Sequence, residues 1–508
     1  MKRYTLIALV VSANALTHMG VRRMPLAPIS RMVATKSNPV ATKTVTAAAN
    51  WRAPSPAMKV LDGIPLEVKS AAATAASVGG FVAFDIALRR FFLARAVPFP
   101  SSLAGMLGLF GALCTMQAIR PKAAAVVAGA AQPGCDFISR WLALFFVPNL
   151  VLLPLVINMS LAEAGKLLLL IVVGLGASLP LAAATANAAL GVTTPEGIVP
   201  TAWKNPKTPP NGAPAFSPPV RRYLLDPPLG AISALSAAFG ALALASARGL
   251  LPAGFPLAGT AMLNAHFLLA TVCGFVTGGR LPKKYQKVLH PLISCTVLTQ
   301  AAVALFSLLS ARPVVSVLRG YLVPGGAPLS APGNLLLFML GPATLSFGFQ
   351  MFGRRQLMQQ SARAVTAVTG VAAGFGLFAT ALAGRLLHMD IGVRLAALPR
   401  QVTAPLAIAI SGIIKADPSL AATIVVVTGL LCANFGRAIL DAIGVTSPVA
   451  RGLAMGAAGH GLGTAAMAEE KEAFPFAAIA MALNAALSTV LVSLPAVRKM
   501  LLRVAGVP

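Results

Sequence analysis

Apolar residues run through this chain in blocks of about twenty, much longer than the stripe an amphipathic helix needs. Such blocks lie at 72–94, 99–118, 138–158 and 165–188, then at 229–247, 257–277, 288–310, 332–350, 364–387, 396–414, 420–440, 449–467 and 474–496. A helix that crosses a bilayer needs about 20 largely apolar residues. Each block therefore predicts one span; at least two are interrupted, and the expected total is about twelve. Between the fourth and fifth blocks the pattern fails. From Gly191 to Pro228 the chain carries ten prolines, with Lys204, Lys207, Arg221 and Arg222. Proline removes helix donors and holds the backbone extended, so this stretch predicts a semi-stiff solvated linker. The expected fold is an all-α polytopic membrane protein of about 12 transmembrane helices in two modules, with broken helices in the second.

Composition supports the membrane reading. Of 508 residues, 57% are hydrophobic and 11% charged, where a soluble protein carries roughly a quarter charged. A mean hydropathy of +0.80 excludes a water-soluble enzyme. The net charge of +28 raises the question of nucleic acid. The basic residues, however, sit in short flanks beside apolar blocks (Arg280, Lys283, Lys284, Lys287; Arg354, Arg355; Arg498, Lys499, Arg503) and lack interleaved aromatics. That placement fits a positive-inside bias and membrane lipid headgroups rather than nucleic acid. The five cysteines lie far apart with no CxxC. They read as small core residues in a reducing compartment; no disulfide frame, metal or cofactor is expected.

The amino-terminal end reads as an address. Residues 1–15 have Lys2 and Arg3, an apolar stretch from Leu6 to Val11, and Ala13-Asn14-Ala15 as a small-x-small cleavage site, the order of a secretory signal peptide. Residues 16–69 are basic and hydroxylated, and the first acid is Asp62; this is transit-peptide composition. Together they resemble the two-step address of plastids of secondary endosymbiotic origin. A disordered basic tail is the plainer alternative. The expected domains are then 1–15 signal, 16–69 transit-like, 70–190 and 229–508 membrane modules, and 191–228 linker.

Three apolar blocks carry polar groups and helix breakers inside. They are Gly341-Pro342-Ala343-Thr344, then Leu398-Pro399-Arg400-Gln401-Val402-Thr403-Ala404-Pro405, and the glycine-rich run from Gly456 to Thr464 around His460, which Glu469, Glu470 and Glu472 follow. Broken backbone survives in a bilayer only where protein or a water-filled cavity satisfies the freed N–H and C=O groups. Transporters place such breaks at the midplane, where half-helix N-termini meet anionic substrate. An intramembrane Arg or His is a functional candidate by default. The expected substrate-binding residues are Thr344, Arg400, Gln401, Thr403, His460, Gly463 and Thr464. Blander readings stand beside these. The prolines could be kinks, the glycines could serve helix packing, His460 could be a core residue, and Arg400 could snorkel to a membrane edge.

Of the thirteen acids, only Asp85 lies well inside an apolar block, with Arg89 and Arg90 one turn away to pair with it. No pair of intramembrane aspartates is present in the sequence for proteolysis or for a carboxylate sodium site. If transport is coupled to protons, His460 is the titrating candidate.

The run Arg451-Gly452-Leu453-Ala454-Met455-Gly456 through His460, Gly463, Thr464 and Ala465, entered by Pro448-Val449-Ala450-Arg451-Gly452, resembles the signature of LrgB/CidB membrane proteins. The Gly341–Thr344 and Val402–Ala407 segments follow that family's order. Phe99-Pro100-Ser101-Ser102-Leu103-Ala104-Gly105-Met106 and Leu144-Phe145-Phe146-Val147-Pro148 resemble LrgA/CidA motifs. An LrgA–LrgB fusion with a plastid address is similar to the plastidial glycolate/glycerate translocator family. That resemblance implies a secondary transporter of the inner envelope, which moves glycolate and glycerate in photorespiration, with no catalytic residues. It also implies that the LrgB-like module carries the site and that the LrgA-like module is a scaffold or a unit of homo-oligomerisation. Arg400-Gln401 stands where the family often has Lys-Ser, and Gln350-Met351-Phe352 where Pro-Leu-Tyr is common. The bacterial relatives also suggest a holin-like channel or regulator; an intramembrane enzyme lacks a placed nucleophile beside His460.

Overall fold

The computed structural model describes residues 66–97, 99–156, 159–191, 228–250, 256–286, 291–467, 470 and 472–507. The expected signal peptide, the expected transit-like region up to residue 65, the expected linker between residues 192 and 227, and Glu469 lie outside the described residues. Among those described, every regular element is a helix. In the first half these are α1 (Leu66–Ala94), α2 (Ser101–Ile119), α3 (Pro121–Trp141), the short α4 (Val147–Val151) and α5 (Leu153–Val156), and α6 (Leu161–Leu190). Past the linker come α7 (Leu229–Ala247), α8 (Pro256–Arg280), α9 (Lys283–Gln286), α10 (Pro291–Ser310), α11 (Val314–Tyr321), α12 (Pro332–Phe338), α13 (Leu340–Gly353) and α14 (Arg355–Gln360). The chain ends with α15 (Ala362–Leu386), α16 (Ile391–Ala397), α17 (Ala404–Ile414), α18 (Pro418–Ala442), α19 (Pro448–Ala466), α20 (Phe474–Ser493) and α21 (Pro495–Val504).

Sequence sets many of the helix starts. The Ser160 hydroxyl accepts the Glu163 N–H at 3.1 Å to cap α6, and the Asp417 carboxylate accepts the Leu420 N–H at 2.7 Å to cap α18. Pro121, Pro332, Pro418 and Pro448 open their helices, where the missing N–H is not needed.

By length and composition ten described helices are able to cross a membrane, or eleven if the bent pair Pro121–Trp141 and Leu144–Leu155 is one span. The difference from about twelve, within the two either way expected, has a physical reason among the described residues. The block at 396–414 yields only the 11-residue α17 beyond a break, and the block at 449–467 is a helix broken in its middle. The block expected at 138–158 is the second arm of that bent pair, whose helix begins at Pro121 and turns by 55°.

Residues 70–508 form one compact unit. Helices from before and after the linker interleave in it. α6 packs against α15, α18 and α19, and α2 and α3 pack on α13. Small residues allow the close crossings: a Cβ on Gly105 would strike Leu345, and one on Gly348 would strike the Met106 carbonyl. Asp85, buried in α1, pairs with Arg89 at 2.7 Å.

Gly341-Pro342 departs from its expected role as a helix break. α12 and α13 run on as one crossing, Pro332–Gly353. Pro342 falls in the first turn of α13, where proline is tolerated, and Gly341 lies against the Asp85–Arg89 pair. The other two expected breaks are present, and they adjoin each other.

Candidate functional site

The first break is the segment from Leu398 to Thr403, between α16 and α17. Pro399 has no N–H to extend α16, and Pro405 fixes the first turn of α17. Arg400, Gln401 and Thr403 are all buried there. Arg400 is 1% exposed, so the snorkelling alternative fails. Its Nε donates to the Thr380 hydroxyl of α15 at 2.9 Å, while Nη1 has no hydrogen-bond partner. No ion pair to Arg400 is found among the described residues. The guanidinium lies against Gly174 of α6, where a Cβ would collide with it.

Gln401 extends toward α15 and touches Gly376, where again no Cβ fits. Both side-chain polar atoms of Gln401 and the Thr403 hydroxyl are buried without partners. α17 starts at Ala404 beside them, and its N-cap Thr403 makes no side-chain cap bond.

The second break is at His460 in α19, whose φ of 42° and ψ of −136° are not helical. A non-glycine residue held there carries strain of order 1–3 kcal/mol and persists only where its surroundings fix it. Here Nε2 of the ring lies 2.8 Å from the Val425 carbonyl of α18. A carbonyl can only accept, so this nitrogen carries the proton. Gly429 leaves the room the ring occupies.

Asn484 of α20 joins the two breaks. Its amide donates to the Gln401 carbonyl at 3.1 Å and to the Ala457 carbonyl at 3.0 Å. Its Oδ1 is buried without a partner. The result is a buried polar centre with one unpaired cation and several unpartnered amide and hydroxyl groups. A buried charge with no counter-ion is costly, and an anionic ligand would remove that cost.

The other expected site residues lie differently. Thr344 is buried on α13, and its hydroxyl donates to Leu340 of the same helix at 2.9 Å. Thr464 donates to the Ala477 carbonyl at 3.2 Å, and Gly463 lies against the Met455 carbonyl, where a Cβ would sit 2.5 Å away. Gly452 and Gly456 admit the carbonyls of Ala473 and Ala477 of α20. These glycines serve close packing of α19, and no hydrogen bond joins Thr344, Gly463 or Thr464 to the polar centre.

Residues 90–186 match the LrgA family and residues 271–497 match the LrgB-like family. The chain is 36% identical over 434 residues to the chloroplastic plastidal glycolate/glycerate translocator 1 of Arabidopsis thaliana, covering 85% of this chain and 80% of that protein. The chain belongs to the LrgA–LrgB family of that plastidal translocator. It is also 30% identical over 132 residues to the uncharacterized protein YwbG of Bacillus subtilis (strain 168), covering 26% of this chain and 59% of that protein. No solved structure matches it. It is thus a multi-pass membrane protein of a transport family.

In this LrgA–LrgB chain the polar centre falls in the LrgB match, yet Gly174 of the LrgA match forms part of its wall. Asn484, Thr380, Gly376 and Gly174 are the residues that sequence reasoning passed over. Asn484 had a signal, as the only amide in the apolar run of α20. The other three had none, since a small residue in a membrane helix is ordinary.

Proposed function

We propose that this chain is a secondary carrier, not an enzyme, that exchanges glycolate and glycerate across the plastid inner envelope in photorespiration. The observation that carries this reading is Arg400, a buried guanidinium with a free Nη1 and no acid beside it. A small carboxylate is the simplest group that completes it. Charge-assisted bonds of this kind are the strong ones, and guanidinium matches a carboxylate in two-point geometry. The named substrates of the Arabidopsis relative are 2-hydroxy monocarboxylates, which support the same class.

In this reading Arg400 holds the carboxylate. The 2-hydroxyl is read by the unpartnered atoms of Gln401 and Thr403. His460 and Asn484 hold the two half-helix breaks in place beside it. Thr344, Gly463 and Thr464 belong to the supporting wall, because their polar groups are taken up locally. Plastid placement rests on the basic amino-terminal composition together with the chloroplastic relative.

Counterflow in proteoliposomes tests the proposal. Vesicles preloaded with glycerate should take up labelled glycolate in a saturable, trans-stimulated way that D-glycerate competes for. A pH series reads any coupling to protons. A linear, unselective leak would replace the carrier with a pore of the holin type.

A further inference from the structure

α6 and α15 separate around a cavity of about 340 Å³. This is within the range of about 300–1,000 Å³ typical of small-molecule sites. Its walls include Leu169, Val173 and Ala177 of α6 and Phe375, Ala379 and Leu386 of α15. Thr380 and Arg400 also line this otherwise apolar space.

α6 is also tied to the segment that follows α15. Glu163 of α6 accepts the Asp390 N–H at 2.6 Å, and Lys166 donates to the His388 carbonyl at 2.9 Å. Along the side, Leu169, Val173 and Leu386 are 49%, 60% and 68% exposed. Side chains this apolar on a crossing helix meet acyl chains. The cavity therefore opens sideways to lipid.

A short hydroxy acid suits such a space poorly, because its hydroxyl would face hydrocarbon without a partner. A single-chain aliphatic carboxylate suits both parts. Its alkyl chain covers the Leu, Val, Ala and Phe walls, and its carboxylate reaches toward Arg400 in the lining. We propose that the α6–α15 cavity is a lipid-side binding site for such a fatty carboxylate, which competes with exchange by occupying Arg400. This rests on the reading of Arg400 as the anion-binding group.

The test uses the purified full chain in detergent and dodecanoic acid bearing a terminal photoreactive diazirine. Labelling is expected on residues 169–177 or 375–387, with competition by dodecanoate and not by dodecanol. Ala379→Phe fills the cavity beside Thr380, and Arg400→Gln removes the cation. Each should lower labelling at least about tenfold. Equal competition by dodecanol, or labelling that neither variant changes, would mean a groove for any alkyl chain and overturn the proposal. Labelling elsewhere would overturn it too. If Arg400→Gln fails to fold, the dodecanol arm and Ala379→Phe decide. Labelling without counterflow would sink only the exchange reading; counterflow without labelling would sink only this one.

Discussion

The side-chain amide of Asn484 donates to the backbone carbonyl of Gln401 at 3.1 Å. A second bond from the same amide, to Ala457 at 3.0 Å, reaches the turn before the His460 break. One side chain from an unbroken helix thus satisfies carbonyls at both interruptions. Without it each of these buried acceptors would lack that bond, and an unsatisfied acceptor of this kind costs about 1–3 kcal/mol.

Asn484→Leu should therefore lower the melting temperature of the purified protein and reduce glycolate counterflow together. The expected loss is about 2–4 kcal/mol, since both donors go at once. An unchanged melting curve would show that the breaks hold without Asn484.

Arg400→Ala should abolish counterflow while leaving membrane insertion intact. Thr380→Val, which removes the acceptor of the Arg400 Nε bond at 2.9 Å, should weaken it by a smaller step, about 1–2 kcal/mol in apparent affinity. Concentration dependence of initial rates separates the two. Uptake retained in Arg400→Ala removes that residue from the site.

Gly174 and Gly176 form a paired test on the LrgA side. A Cβ at Gly174 meets the Arg400 guanidinium, whereas one at Gly176 meets nothing within 4 Å. Gly174→Val should cut counterflow by about tenfold or more, in line with overpacking costs of 1–3 kcal/mol, and Gly176→Val should leave it near the parent value. Equal behaviour of the two would separate α6 from the site.

Arg451, in the first turn of α19, holds Glu470 through two bonds of 2.7 and 2.8 Å and Asp441 through one of 2.6 Å. The Glu470 side chain is 27% exposed and that of Asp441 64%. Solvent screens the second pair more. Glu470→Gln should lower thermal stability by about 1 kcal/mol, and Asp441→Asn by less than about 0.5 kcal/mol. Chemical or thermal unfolding in one detergent gives the order; the reverse order would reject this account of the clamp.

Glycines at 456 and 461 respond differently. Gly456 faces the Ala477 backbone with no room for a Cβ, and the nearest atom to a Cβ on Gly461 is the Met481 sulfur at 3.8 Å. Gly456→Ala should impair expression and stability, and Gly461→Ala should be tolerated, as read by fluorescence-detected size exclusion.

Much was legible from residue order alone. Block length announced crossing helices, and the pairing of Asp85 with Arg89 followed from their spacing of four. Pro399-Arg400-Gln401 and the run around His460 announced breaks, because proline and glycine act on their own backbone. Gly341-Pro342 misled for the same local reason: proline in a first turn reads like proline in an interior until the helix start is known.

The sequence by itself determined a polytopic all-helical chain of the LrgA–LrgB kind, with a cation inside one broken block, since hydropathy, helix breaking and family motifs are local properties. Only the tertiary structure decided that the two breaks meet at Asn484, that Arg400 is buried and unpaired rather than snorkelling, and that Gly174, 226 residues earlier in the numbering, makes room for its guanidinium. Those facts depend on which helices pack side by side. Packing of small apolar faces in lipid is set by shape over distant segments, and no single stretch of residues records it.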